Sequence, residues 1–321
     1  MQRHRFSQGS HMIRTKKLVS AACAAMLATW ISGTVLVQHA AAQMSGDSAA
    51  KTLPVGEGEF RLLVKRGPVN VFTYRPRSFT PDSPVWVIIH GQKRNVAEHS
   101  AFDYYDVWQP LAEKAGALLL VPEFVEQSWP TSWQFQFGNV MTKSLKPIPW
   151  EDSGFAVAEM AFHRAVAMTG SHRQRFFLYG HGGGAQWVQR YVLHSGGRMI
   201  DRAVAANPGW YMLPDDEFKY PYGLKGAPIA PATLRGAFAS DFVLLLGQDD
   251  VSTGGVMRNN EETNEQGETR FQRGHFYFDR AAKDARKIGA RFAWHLREVP
   301  GAGHENEDMA PVAAKAFMER R

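Results

Sequence analysis

Phe176-Phe177-Leu178-Tyr179-Gly180-His181-Gly182-Gly183-Gly184-Ala185-Gln186-Trp187 is the stretch from which the fold can be read. An apolar, aromatic-rich run ends in a glycine cluster, and Trp187, Val188, Tyr191 and Val192 then recur at helical spacing. This pattern predicts a strand, a very tight turn and a helix, the setting of a nucleophile elbow of type G-x-S-x-G. Gly180 and Gly184 hold the outer positions and His181 precedes the centre. At the centre, where the elbow carries its serine, stands Gly182.

Working outward, Val85–Ile89, Ala117–Val121 and Phe242–Leu246 are continuous apolar runs, the mark of strands covered on both faces. Ala203–Ala206 and Phe292–Val299 read as further strands. Phe60–Val64 and Val69–Tyr74 read as a hairpin around a Gly67-Pro68 turn. Helices are expected over Val107–Ala115, Ser153–Thr169, after the elbow, near Phe278–Ile288 and over Met309–Glu319. Strands alternating with helices call for an α/β fold, with a mostly parallel central sheet flanked by helices on both faces. Two aromatic loops, 122–152 and 207–226, are expected as insertions over the active-site rim. His90-Gly91-Gln92, the elbow, Asp249-Asp250 and His304 each follow a predicted strand, which puts them on one rim, where ligands of such sheets bind.

The 321 residues carry a formal charge of +6, but its placement removes the meaning of that number. The first 42 residues hold Arg3, Arg5, Arg14, Lys16 and Lys17 and no acid. Setting those five aside from the 37 basic residues leaves 32 against 31 acidic ones, so the body is near neutral and nucleic acid is not expected as a partner. From Met12 a basic start, an apolar run over Leu18–Val37 and Ala40-Ala41-Ala42 fit a signal peptide cleaved after Ala42, hence export to a periplasmic or secreted location. A membrane is expected as a partner only through an uncleaved leader, because the apolar run approaches spanning length. The segment before Met12 reads as an upstream start or a cloning remnant. Residues 43–58, small and polar, are expected as a flexible linker, and 59–321 as one domain. The single cysteine, Cys23, falls within the leader, so the mature chain has no disulfide, thiolate metal site or cysteine nucleophile.

Acyl transfer on this framework requires a nucleophile, a base, a carboxylate that orients the base and donors for the oxyanion. The order nucleophile, then Asp or Glu, then His is met by residue 182, Asp250 and His304, with Asp249 as the alternative acid. The oxyanion donors are expected to be the backbone N–H groups of Gly183 and Gln92. His90 reads as a turn-stabilising histidine, and no histidine spacing suits a metal. Trp129, Trp133, Trp210 and Tyr211 are candidates for a substrate pocket, set against the plainer alternative that several are core or lid packing.

With those residues in place, the chain resembles the α/β-hydrolase superfamily, and more closely its secreted esterase and polyester-depolymerase-like members. The likeness runs from about Val85 to Phe317 and rests on His90-Gly91-Gln92, Gly180-His181-x-Gly183-Gly184, Asn207-x-Gly209-Trp210-Tyr211, Gly247-x-x-Asp250 and Gly303-His304. The resemblance implies an α/β-hydrolase fold, no cofactor and small-molecule or polymeric carboxylic-ester substrates. It departs at Gly182, where members carry serine. Three readings follow: an ester hydrolase scaffold strongly impaired by the missing hydroxyl, a non-catalytic pseudo-hydrolase binding a small acyl or aryl ligand, or direct activation of water by His304.

Overall fold

The computed structural model describes residues 52–92, 100–254 and 257–319, all of them within one compact unit, Lys51–Arg321. The leader reading therefore lies outside the described residues. Eight strands form one sheet in the order β1-β2-β4-β3-β5-β6-β7-β8. They are β1 (Gly56–Val64), β2 (Gly67–Arg75), β3 (Val85–Ile89), β4 (Leu118–Pro122), β5 (Phe176–His181), β6 (Ile200–Ala206), β7 (Phe242–Gly247) and β8 (Trp294–Val299). The pairs β1·β2 and β2·β4 are antiparallel and the rest parallel.

Helices cover both faces, as the apolar runs demand. On one face, α1 (Ser100–Ala115) and α7 (Asn306–Met318) pack Trp108, Ala112, Met309 and Phe317 against Trp86, Ile88 and Tyr179. On the other lie α2 (Gly154–Thr169), α3 (Gly183–Ser195), α4 (Pro231–Ala239) and α6 (Arg270–Lys287), against Val87, Ile89, Leu178 and Leu244. Odd and even residues of β3 thus serve opposite cores, the consequence of a two-residue side-chain period. A one-turn helix, α5 (Glu261–Asn264), precedes α6.

Several elements differ from their sequence expectation. The hairpin turns at Lys65-Arg66, while Gly67 and Pro68 sit in the ladder opposite Val64 and Leu63. The expected linker is not free at its end: Leu53 is buried, and Gly56, Glu57 and Gly58 already belong to β1. Helix α4 was not foreseen, since its N-cap, Ala230, offers no side-chain bond to mark the start. Helix α6 begins eight residues before the expected Phe278, at a capping box in which Thr269 and Gln272 bond each other's backbone N–H.

The elbow owes its shape to close approach. A Cβ at Gly180 would lie 2.3 Å from the carbonyl oxygen of Gly184, and one at Gly184 would lie 2.2 Å from that of Ile89. Helix α3 can therefore meet the ends of β3 and β5 only through glycine. Gly184→Ala would gain about 1 kcal/mol of helix propensity. The opposing clash is with backbone that cannot move without displacing β3. Set against an overpacking cost of up to about 3 kcal/mol, that gain leaves an expected net loss of about 2 kcal/mol, read as a lower midpoint in urea unfolding.

Candidate active site

Five strand ends, those of β3, β5, β6, β7 and β8, build the site. Beyond β5 the chain turns through Gly182 at φ 54°, ψ −108°, a conformation strained for any residue with a side chain. The Gly182 N–H donates to Ala206 O at 3.0 Å, and its carbonyl accepts from the Gln186 N–H at 3.2 Å, opening α3. Beyond β7, Asp250 is buried, with its side chain 1% exposed. Beyond β8, His304 turns back so that its Nδ1 lies 2.7 Å from Asp250 Oδ2. With that nitrogen donating to the carboxylate, the lone pair of Nε2 is left for the cleft. A Cβ at residue 182 would lie 3.3 Å from that Nε2.

Asn207, at the end of β6, holds the Asp250 and His304 loops together. Its Nδ2 donates to Gly303 O at 2.8 Å, and its Oδ1 accepts from the Gly247 N–H at 2.8 Å. Asp249, the alternative acid, is exposed, and its backbone N–H is bound to Ala302 O at 2.9 Å. Beyond β3, the backbone at Gln92 abuts the elbow: a Cβ at Gly183 would come within 2.9 Å of Gln92 N. Both residues line the cleft, as do Gly182 and His304. His90 accepts the Phe124 N–H on Nε2 at 3.0 Å and stacks on Phe135, which suits the structural role expected of it.

His181 lies under the elbow, ring to ring with His304 at 4.7 Å, and its Nδ1 is 3.3 Å from the Tyr104 hydroxyl. Burial, then the neighbouring His304 and Arg270, push its pKa well below the usual imidazole range, so it is neutral near pH 7. The other face of the carboxylate was not foreseen: Asp250 Oδ1 lies 3.2 Å from Nη1 of Arg270, the first residue of α6.

The cleft encloses about 440 Å³. Of the four aromatic candidates, only Trp210 lines it. The guanidinium groups of Arg190 and Arg258 lie over its indole, 4.4 Å and 5.1 Å from the ring centroid. Trp129 is fully buried against Phe124 and under Arg66, where it supports the β1–β2 hairpin. Trp133 packs on Phe137 and Tyr220, and Tyr211 stacks on Tyr277 in the core. Trp129 and Tyr211 are buried by the inward fold of loops 122–152 and 207–226, and Trp133 is half-buried against the core; none of the three lines the cleft. The wall instead carries polar residues that sequence reasoning passed over, among them Ser132, Gln136, Gln186 and Arg258. Nothing in their spacing signals a site. Among the described residues there is no group of His, Cys, Asp and Glu that suits a metal ion.

A doubly covered parallel sheet with a glycine elbow, an acid and a histidine on successive strand ends defines the α/β-hydrolase class. Comparison with solved structures agrees. The chain is similar to poly(aspartic acid) hydrolase-1 from Sphingomonas sp. KT-1, with 34% identity and a TM-score of 0.79 over 83% of this chain and 100% of that one. It is also similar to LpqC, a poly(3-hydroxybutyrate) depolymerase from Bordetella parapertussis, with 30% identity and a TM-score of 0.77 over 84% and 92% of the two chains. An S-formylglutathione hydrolase from Agrobacterium tumefaciens, 14% identical at a TM-score of 0.52, shares the fold. No family model and no curated protein matches the sequence. The chain belongs to the α/β-hydrolase family.

Proposed function

We propose that the chain is an exported hydrolase scaffold for carboxylic acyl substrates, small or polymeric, in which Gly182 holds the position of the nucleophile. The observation that carries the reading is the 3.3 Å between a Cβ at residue 182 and His304 Nε2, on a histidine whose Nδ1 is held 2.7 Å from Asp250. A hydroxyl on that carbon would meet the base directly. Its oxygen would attack the acyl carbon as His304 takes the proton, and Asp250 would stabilise the resulting imidazolium. The N–H groups of Gly183 and Gln92 would then receive the oxyanion. His304 would pass that proton to the leaving group as its bond to the acyl carbon breaks, and water, giving a proton to His304, would then attack the acyl carbon and free the acid from residue 182. Without the hydroxyl the chain turns over poorly while still binding substrate.

Polymeric substrates are favoured by the named activities of the two similar structures, one on poly(aspartic acid) and one on poly(3-hydroxybutyrate). The leader after Met12 supports action outside the cytoplasm on polymers that cannot enter it. The described residues include no helix long and apolar enough to cross a membrane. A non-catalytic binding role is the second reading, and the open cleft beside a residue with no side chain favours it. The two separate by covalent labelling. Gly182→Ser is expected to take up one equivalent of a fluorophosphonate probe at residue 182, fluoride leaving as the Oγ–P bond forms. The chain with Gly182 is expected to take up none. A folded serine variant that stays unlabelled rejects the hydrolase reading.

A further inference from the structure

We propose that Arg270 is a positioning residue: it fixes the Asp250 carboxylate that holds His304 and neutralises the charge this pair presents to the cleft. The inference rests on the reading of His304 and Asp250 given above, and its test does not depend on turnover.

The carboxylate is pinned at both oxygens. Oδ2 lies 2.7 Å from His304 Nδ1 and Oδ1 lies 3.2 Å from Arg270 Nη1. A carboxylate held at one oxygen can turn about its terminal torsion and carry the imidazole out of plane. One held at both cannot. The pair is deep, with side chains 1% and 8% exposed, so the interaction acts in a medium of low effective dielectric. Ordering and desolvating an arginine is unfavourable unless its partner needs the charge. A neutral donor would satisfy Oδ1 as a hydrogen bond. The guanidinium adds charge compensation, which leaves His304 paired with a neutral ion pair instead of a bare buried anion.

Arg270 is itself held from several sides. The Thr269–Gln272 capping box starts α6, and the Phe271 N–H donates to Asp250 O at 3.4 Å. Three residues on, the buried Arg273 donates to Gly209 O and Gly267 O, both at 2.8 Å. The first turn of α6 is thereby tied to the loop after β7, which carries the acid, and to the loop after β6.

The other groups around His304 differ in kind. His181, on β5, is kept neutral by burial. Tyr104, on α1, is likewise buried, and its pKa is raised. Asp103, Glu305 and Glu307 stand exposed on the rim, and Arg258 stands half-buried across the cleft. The rim charges act through water, where interaction is weak. Arg270 is the one cation bonded to the buried carboxylate among the described residues.

The test uses the chain as it stands, with Gly182, and the variants Arg270→Gln, Arg270→Lys and Arg270→Met. NMR follows the His304 ring protons with pH and the downfield Nδ1 proton shared with Asp250. Removing the charge while keeping a donor (Gln) is expected to move the His304 titration midpoint up by about one pH unit. Lysine, which keeps the charge, is expected to reverse most of that shift and bring the midpoint back toward the parent value. Methionine is expected to weaken or abolish the downfield proton as well. In the Gly182→Ser background, the acid limb of kcat/KM should move in the same direction as the ring titration. If Gln and Met lower the melting temperature but leave midpoint and downfield proton in place, Arg270 is only an anchor for α6 and the proposal is overturned. Should Met fail to fold, the comparison of Gln with Lys still decides. An inert serine variant would count against the hydrolase reading alone, since the NMR readout needs no turnover.

Discussion

Gly182→Ser is expected to raise kcat on a short p-nitrophenyl ester by at least about 10³-fold over the chain as it stands, and at most about 10⁶-fold. The upper figure is what removing a triad serine costs in subtilisin. The lower figure allows for a hydroxyl introduced into a site that does not otherwise hold one, with its rotamer and distance to His304 less than ideal. The backbone is set for the change. Residue 182 has φ 54° and ψ −108°, and its Cβ would face His304 Nε2 at 3.3 Å. The gain should come at a cost in stability, because glycine escapes a strain of about 1–3 kcal/mol that serine would carry. For a domain of this size that lowers Tm by about 2–4 °C for each kcal/mol. Activity and melting temperature are thus expected to move in opposite directions. His304→Ala in the serine background should return the rate to its starting value. A folded serine variant with a lower Tm that hydrolyses no ester from acetate to decanoate would refute the scaffold reading. If instead the chain with Gly182 turns over fast and His304→Ala abolishes it, His304 activates water directly.

The features that sequence revealed are those whose physics is local. Gly180 and Gly184 are legible because the contact they make, backbone against backbone, admits no other residue. The inner strands are legible because a strand covered on both faces must be apolar at every position, as β3, β4 and β7 are. Once the strands are placed, their ends bring Asp250 and His304 to one rim, and Asp250 rather than Asp249 meets the histidine. The pocket wall was not legible. An aromatic residue in a loop has no fixed address, and Trp129, Trp133 and Tyr211 go into packing while Trp210 reaches the cleft. The early start of α6 was also hidden, because its buried face is made of Arg270, Arg273, Gly274 and Tyr277 and not of an apolar stripe. Thr269-x-x-Gln272 was the available signal, and reading it would have brought Arg270 to the site.

Acid should weaken this fold through histidines buried in the neutral form. His194, on α3, is 8% exposed, with Phe155 and Tyr220 against its ring, and its Nε2 has no hydrogen-bond partner among the described residues. Burial, and then the charge on Arg190, lower its pKa to about 3. His181 is shifted in the same direction by burial, His304 and Arg270. The unfolded chain binds a proton on each near pH 6.5, whereas the folded chain does not, so the unfolded state holds more protons below that value. Stability is therefore complete above about pH 6.5 and falls as the pH drops toward the folded value. Each such group costs up to about 1.4 kcal/mol per pH unit, which gives about 2 kcal/mol for His194 alone between pH 6.5 and 4.5, the slope being half that limit at pH 6.5. His181 adds to this loss. His194→Gln isolates the effect, since glutamine does not titrate and the position does not line the cleft. Unfolding in urea at pH 7.0, 5.5 and 4.5 is expected to show the variant losing about 2.5 kcal/mol less than the parent chain over that range. Equal losses in the two proteins would mean that His194 becomes protonated without opening the fold. His181→Asn should flatten the curve as well. That substitution also reaches the site, because a charge on His181 would stand beside His304, whose ring is 4.7 Å away. Because burial keeps His181 neutral in the folded chain, that charge appears only as the fold opens, and any loss of fluorophosphonate labelling that His181 causes should coincide with the loss of secondary structure as pH falls.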